Sequence, residues 1–185
     1  MTVQYALSFI VPENITWEFA KVLGRIVPPQ LRPSSGAHIT LLPPWYSGDQ
    51  EWLQALIAVL GEWKPFPIRL GRAQMLEQNE AMQRNTSSIY LPVLDPETTA
   101  LHNRLLEAML PFVPELANNL YVGEAHLSRV TIARTRDPRR SPMAKIQEVA
   151  HQLPVLCFQA TEATLLMRTE KNPFQPEATI ALSVR

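Results

Sequence analysis

Two short runs in this 185-residue chain bring together side chains that could move a proton or hold a phosphate. His38-Ile39-Thr40-Leu41 sets an imidazole and a hydroxyl two residues apart. The run over 125–134, AHLSRVTIAR, carries His126 and Ser128 at that same spacing and then Arg129 and Thr131 at it again. Imidazole suits acid and base work because its unperturbed pKa of about 6.5 populates both protonation states near neutrality. Hydroxyl and guanidinium groups suit phosphoryl oxygens, the first as short donors and the second as a planar fork. The other two histidines, His102 and His151, fall beside the apolar stripes of predicted helices and are read as structural. Cys157 is the only cysteine, so neither a disulfide within the chain nor a thiol metal cage can form, and it is expected to be a buried strand residue. The sequence contains no Gly-rich phosphate loop, HExxH, CxxC or nucleophile elbow.

Alternation assigns faces to the first run. In a strand successive side chains point to opposite sides, so Ile39 and Leu41 share the apolar side while His38 and Thr40 project together from the other. An imidazole and a hydroxyl so placed can reach one phosphate oxygen. A half-buried sheet histidine beside a threonine is the bland alternative.

The elements that position these runs can be read from periodicity. Val3 to Val11 is a buried strand ending at Pro12. Asn14 is expected to cap a helix whose face is Phe19, Val22, Leu23 and Ile26, stopped by Pro28-Pro29. The His38 strand follows Gly36, and Asp49 is expected to cap a helix carrying Trp52, Leu53, Leu56, Leu60 and Trp63. Residues 65–76 and 87–94 read as strands joined by a polar hairpin loop over 77–86. The order then recurs: an Asp95-Pro96 helix with Leu101, Leu105, Ala108 and Met109 inward, the strand of the second run, a Ser141-Pro142 helix with Met143, Ile146, Val149 and Ala150 inward, and closing strands over 155–167 and 177–184. The fold class expected is α+β: a duplicated β-α-β-α-β chain in two lobes, with two antiparallel sheets, helices outside and a cleft between the copies. One domain over residues 1–185 is expected, with lobes near 1–86 and 87–185 and terminal strands able to cross between them.

Totals narrow the function classes. Seventeen basic and seventeen acidic residues cancel, which argues against coating long nucleic acid by counterion release but leaves a short or terminal RNA open. The chain has no apolar run near the roughly 18 residues of a membrane span, and its start, MTVQYALSFIVP, lacks signal-peptide features, so a cytoplasmic protein with no membrane partner is expected.

The His38-Ile39-Thr40-Leu41 run, the recurring element order and the run Val130-Thr131-Ile132-Ala133-Arg134 at the equivalent strand together resemble the 2H phosphoesterase superfamily, in particular its 2'-5' RNA ligase-like branch. The likeness extends over KPFPIRLGRAQML, SSIYLPV and ALHNRLLEAML. It implies hydrolysis of a 2',3'-cyclic phosphate at an RNA or nucleotide end to a 2'-phosphate without metal or cofactor; a monomer is expected. Two His-x-Thr/Ser motifs would face each other across the cleft, one histidine as base and the other as acid, with the hydroxyls on the phosphoryl oxygens.

The second motif departs from that pattern. Val130 and Ile132 form the apolar side, so Arg129 and Thr131 match His38 and Thr40, and the family's own histidine slot also falls on Arg129. Arginine stays protonated and can clamp phosphate but cannot exchange a proton at neutral pH. His126, with Ser128, is a conditional second histidine: a β-bulge between Ser128 and Val130, or a loop entry from above, would bring it to the cleft. Otherwise it is a loop or surface residue beside a proton-inert motif. Thr40, Arg129 and Thr131 are the expected phosphate ligands, with Ser128 conditional. Trp45, Tyr46 and Arg134 are candidate substrate contacts, the first two as stacking platforms and the arginine on RNA backbone. Two functions follow, a cyclic phosphodiesterase weakened by Arg129 or a non-catalytic protein that binds phosphate or RNA ends. A small-molecule hydrolase on the same fold is a third.

Overall fold

The computed structural model describes residues 3–77, 86–119, 122–123, 126–170 and 172–183. Most of the polar segment expected as a hairpin loop, 78–85, lies outside the described residues. The architecture is mixed α+β, with four α-helices and two antiparallel sheets among those residues. In chain order the elements are β1 (Val3–Ile10), α1 (Glu13–Leu23), β2 (His38–Ser47), α2 (Glu51–Glu62), β3 (Phe66–Leu70), β4 (Gln74–Leu76), β5 (Ser87–Pro92), α3 (Pro96–Met109), β6 (Arg129–Thr135), α4 (Met143–Ala150), β7 (Leu156–Ala160), β8 (Glu162–Thr169) and β9 (Gln175–Ala181).

The larger sheet runs β4-β5-β6-β2-β1-β8-β9 and the smaller pairs β3 with β7. Both sheets span the two sequence halves, because the motif strands β2 and β6 meet at Ile39 and Val130 and join the halves at the centre of one sheet. The order is symmetric about that contact: β1 flanks β2 as β5 flanks β6, then β8 flanks β1 as β4 flanks β5. Thus β4, from the first half, edges the second, and β8 does the reverse.

One face of this sheet is apolar for the reason alternation gives. Leu7, Phe9, Ile39, Ile89, Leu91 and Val130 are buried in a single cluster with Leu56 and Leu60 of α2, Leu101 and Leu105 of α3, and Ile146 of α4. Three leucine or isoleucine side chains at full burial contribute on the order of 5 kcal/mol of transfer free energy, so the helices are held by this face rather than by their own propensity. The opposite face carries Gln4, Ser8, His38, Thr40, Arg129 and Thr131, and it is the open one.

Several local expectations are revised. The helix that Asn14 was expected to cap starts two residues earlier, at Glu13 with Pro12 as its N-cap, and Gln50 rather than Asp49 caps α2. Asp49 still contributes, since its Oδ1 accepts the Glu51 N–H at 3.3 Å. Asp95 does occupy the N-cap of α3, but its carboxylate serves another element: it accepts from the backbone N–H of Arg69 and, at 2.8 Å, from Arg69 Nε. The strand read over 65–76 breaks into β3 and β4 at Gly71, whose N–H donates to Pro92 O at 2.7 Å. A Cβ there would stand 2.9 Å from both Leu94 Cδ2 and Pro92 Cγ, so a larger residue would have to displace these side chains. Cys157 is exposed, not buried. It lies on β7 of the two-stranded sheet, where Leu156 and Ala160 take the covered side and Cys157 faces outward.

Each motif strand carries a β-bulge directly after its threonine. On β2, Thr40 stands opposite Ser8 and Leu42 opposite Leu7, which leaves Leu41 as the extra residue. On β6, Thr131 stands opposite Tyr90 and Ala133 opposite Ile89, leaving Ile132 extra. Leu41-Leu42 and Ile132-Ala133 are accordingly consecutive buried pairs, which unbroken alternation forbids.

Candidate functional site

A cavity of about 580 Å³ lies on the open face of the larger sheet, and His38, Thr40, Arg129 and Thr131 all line it. Continuing the register from Ile39 opposite Val130 sets Thr131 beside His38 and Arg129 beside Thr40. Directly opposed residues on antiparallel strands stand roughly 4.5–5.5 Å apart at Cα. The four side chains therefore form a quadrilateral, with the imidazole and the guanidinium on one diagonal and the hydroxyls on the other.

His38 is oriented from behind. Its Nδ1 lies 2.9 Å from Gly36 O, and a carbonyl can only accept, so Nδ1 carries the proton. In the neutral ring that leaves the Nε2 lone pair as the proton acceptor. Gly36 supplies this carbonyl from a left-handed backbone, φ +70°, that residues with a Cβ adopt only at a cost. Arg129 is braced by an aromatic ring: its Cζ stands 5.3 Å from the centroid of Tyr90, within cation–π range, while the Tyr90 hydroxyl donates to Gln74 Oε1 at 2.8 Å.

His126 and Ser128 are brought together, but not at the cavity. His126 Nε2 lies 2.9 Å from Ser128 Oγ, and its ring stacks on His102 with 3.6 Å between centroids and 5° between planes. Ser128 is buried, and neither residue lines the cavity. The bulge that would have turned His126 inward does not occur, because Arg129, Val130 and Thr131 pair in unbroken sequence with Pro92, Leu91 and Tyr90. His102, fully buried on α3, accepts the Gly123 N–H at Nε2 (3.1 Å), so its Nδ1–H donates to Leu41 O at 2.6 Å. It thereby satisfies the carbonyl of the β2 bulge residue. Burial lowers the His102 pKa, and the hydrogen bond to Leu41 opposes that shift.

The aromatic candidates separate. Trp45 is 1% exposed and packs against Trp52 edge to face at 5.2 Å and against Tyr5, so it belongs to the core and cannot stack a base. The error has a physical source: Pro43-Pro44 reads as the end of a strand, yet β2 continues through both prolines at a second register shift, where ladder N–H groups are not required. Tyr46 is exposed on the open face, opposite Gln4, but is not among the residues that line the cavity. Arg134 lines the cavity because the Ile132 bulge turns it there, whereas plain alternation from Thr131 would put it on the helix side.

Among the lining residues that the sequence reading did not single out, three bear on the chemistry of the site. Ser8 stands opposite Thr40, is 1% exposed, and its hydroxyl has no hydrogen-bond partner among the described residues. Arg32 is fixed by Val27 O at 3.1 Å and Gly24 O at 2.8 Å. Arg168 donates from Nε to Gln4 Oε1 at 2.6 Å and lies 4.6 Å from the Phe174 ring centroid. No local motif marks them; alternation on β1 and β8 could have put Ser8 and Arg168 opposite their strands' apolar sides. Among the described residues the lining thus contains Arg32, Arg129, Arg134 and Arg168 and no carboxylate. A chain of zero formal charge concentrates positive charge in one concavity, where low-dielectric walls strengthen its attraction for anions. No group of three or more potential metal-binding side chains occurs among the described residues, and no helix among them is long and apolar enough to cross a membrane.

Solved structures share this fold. The fold is similar to that of TT0787 of Thermus thermophilus (TM-score 0.66, 16% identity, 98% of this chain and 100% of that one). E. coli LigT complexed with NADP+ is similar at TM-score 0.60 and 16% identity, covering 97% of each chain. Kluyveromyces marxianus Usb1 with uridine monophosphate is similar at TM-score 0.52 and 10% identity, covering 98% of each. No curated protein matches the sequence. The sequence pattern of the 2'-5' RNA ligase superfamily matches residues 17–172, which include both motif strands, and the chain belongs to that superfamily.

Proposed function

We propose that the cavity is a phosphoesterase site for 2',3'-cyclic phosphates at RNA or nucleotide ends, producing a 2'-phosphate with a single proton-transferring side chain. Membership of the superfamily supports the reaction class. The observation that carries the reading is His38, held by Gly36 O through Nδ1 on the cavity wall beside Thr40, Arg129 and Thr131. Nucleotide-bound relatives, LigT with 3'-AMP and Usb1 with uridine monophosphate, agree with a ligand of this kind.

The chemistry follows from the groups present. His38 Nε2 accepts a proton from water as the water oxygen bonds to phosphorus, and the bond from phosphorus to the 3' oxygen breaks. Thr40 and Thr131 donate to the non-bridging oxygens, and the Arg129 guanidinium offsets the charge that accumulates there. Arg129 cannot release a proton, so the departing 3' oxygen takes its proton from solvent. Absence of a positioned acid costs roughly 10²- to 10⁴-fold, and slow turnover is the expected behaviour.

Because Arg129 stands where a second histidine would complete the pair, a second reading is a non-catalytic protein that holds phosphorylated RNA ends in the same cavity. One experiment separates the two: incubation of 2',3'-cyclic nucleotides and a cyclic-phosphate-terminated oligonucleotide with wild type and His38→Ala. Turnover that disappears in the variant supports the esterase. Tight binding without turnover at any pH between 5 and 9 supports the binding protein, and neither binding nor turnover would sink both.

A further inference from the structure

Arg168 is positioned by three elements and neutralised by none. Its backbone belongs to β8, its Nε is held at 2.6 Å by the neutral amide oxygen of Gln4 on β1, and its guanidinium lies 4.6 Å from the ring of Phe174, just before β9. Among the described residues it forms no ion pair, and none of those that line its cavity is a carboxylate. An orienting shell of an amide and a ring, where a carboxylate would have cancelled the charge, leaves the outer donors of the fork for an anion.

That anion is not the phosphate held by Thr40. Thr40 pairs with Ser8 and Arg168 pairs with Gln4, so the two sites are four residues apart along β1 and two strands apart across the sheet. At roughly 3.3 Å per residue and 4.8 Å per strand, their Cα atoms are ~16 Å apart. An arginine side chain reaches less than half of that, whereas phosphate oxygens lie within about 2 Å of phosphorus. Tyr46, opposite Gln4 on the same face and 55% exposed, completes a row of Tyr46, Gln4 and Arg168 across three strands.

Resting on the function proposed above, we propose that this row is a distal subsite for the strand upstream of the terminal phosphate: Arg168 contacts a backbone phosphate of a neighbouring nucleotide, and Tyr46 offers a face to its base. The preferred substrate is then an oligonucleotide end and not a free cyclic mononucleotide.

The test uses two inert products, a nucleoside 2'-monophosphate and a trinucleotide ending in a 2'-phosphate, titrated against wild type, Arg168→Ala and Arg168→Lys over a range of salt. Arg168→Ala is expected to weaken the trinucleotide about tenfold more than the mononucleotide, whose single phosphate feels Arg168 only through the shared field of the cavity. The slope of log K against log salt should shrink by about 0.7 for the trinucleotide alone, the value of one single-strand phosphate contact. Arg168→Lys should restore that slope, which a misfolded variant could not do. Equal weakening of both ligands, or an unchanged trinucleotide, overturns the distal subsite while leaving the His38 site standing. If neither ligand binds wild type in a His38-dependent way, the parent reading fails and the subsite with it.

Discussion

Replacing Arg129 by histidine tests the central argument, because it installs the one ionisable group that the cavity lacks on its β6 side. The position is suited to the exchange: Arg129 lies diagonal to His38, and both strands carry the same spacing from motif residue to threonine to bulge. A correctly placed acid would raise kcat by roughly 10²- to 10⁴-fold, or about 3–5 kcal/mol off the barrier. Against this stands the loss of a charged donor to phosphate, about 1.5–3 kcal/mol, which should raise KM by roughly 10- to 100-fold. The expected net change in kcat/KM is therefore a gain, up to roughly 10³-fold. The assay is hydrolysis of a 2',3'-cyclic nucleotide across pH 5 to 9. Wild type should show the single limb of one titrating base, and Arg129→His a bell with a second limb at the alkaline side, where the new acid loses its proton. A folded Arg129→His protein with unchanged kcat and no second limb would refute the placement of Arg129 as the counterpart of His38. Adding His38→Ala to it should return the rate to background.

Three other outcomes are expected. His126→Ala should lower stability by about 1–3 kcal/mol in urea titrations, through loss of the 3.6 Å stack and the Ser128 bond, while turnover per folded molecule stays within twofold; a catalytic collapse would return His126 to the mechanism. Gly36→Ala should cost about 1–2 kcal/mol at its φ of +70°, and should depress kcat more than KM by shifting the carbonyl that orients His38, which parallel melting and kinetic runs would show. His102 has a folded pKa below its ordinary 6.5, so the unfolded chain binds the proton first as pH falls. Its contribution to stability is complete above about pH 6.5, declines below it at about 1.4 kcal/mol per pH unit, and levels off under the depressed folded pKa. The decline should vanish in His102→Gln, and a variant that kept it would assign the titration elsewhere.

The sequence displays whatever is local along one strand. The facing of Ile39 and Leu41 against His38 and Thr40 follows from the pleat alone, and so does the placement of Arg129 rather than His126 on the open side. The helices were legible from their stripes because one apolar face suffices to define them. Trp45 was misplaced because two prolines look like a terminus unless the register shift that tolerates them is known. Arg134 was reached only as the neighbour of a motif, since the bulge that turns it into the cavity leaves no compositional sign. Ser8 and Arg168 are distant in sequence from the motifs and reach the cavity only because β1 lies beside β2 and β8 beside β1 in the sheet, while Arg32 comes from the segment between α1 and β2. Cys157 was expected inside because a cysteine on a strand usually is; a two-stranded sheet leaves one side uncovered.

The paired bulges also make each motif strand two separately addressable segments. An unbroken strand couples every position to every other through parity, so a one-residue insertion or deletion inverts all that follows. Here the extra residues Leu41 and Ile132 absorb that coupling between the positions that meet the phosphate and those that border it, Pro43 on one strand and Arg134 on the other. The rim of the cavity can therefore be rewritten, in selection or at the bench, without re-registering its centre.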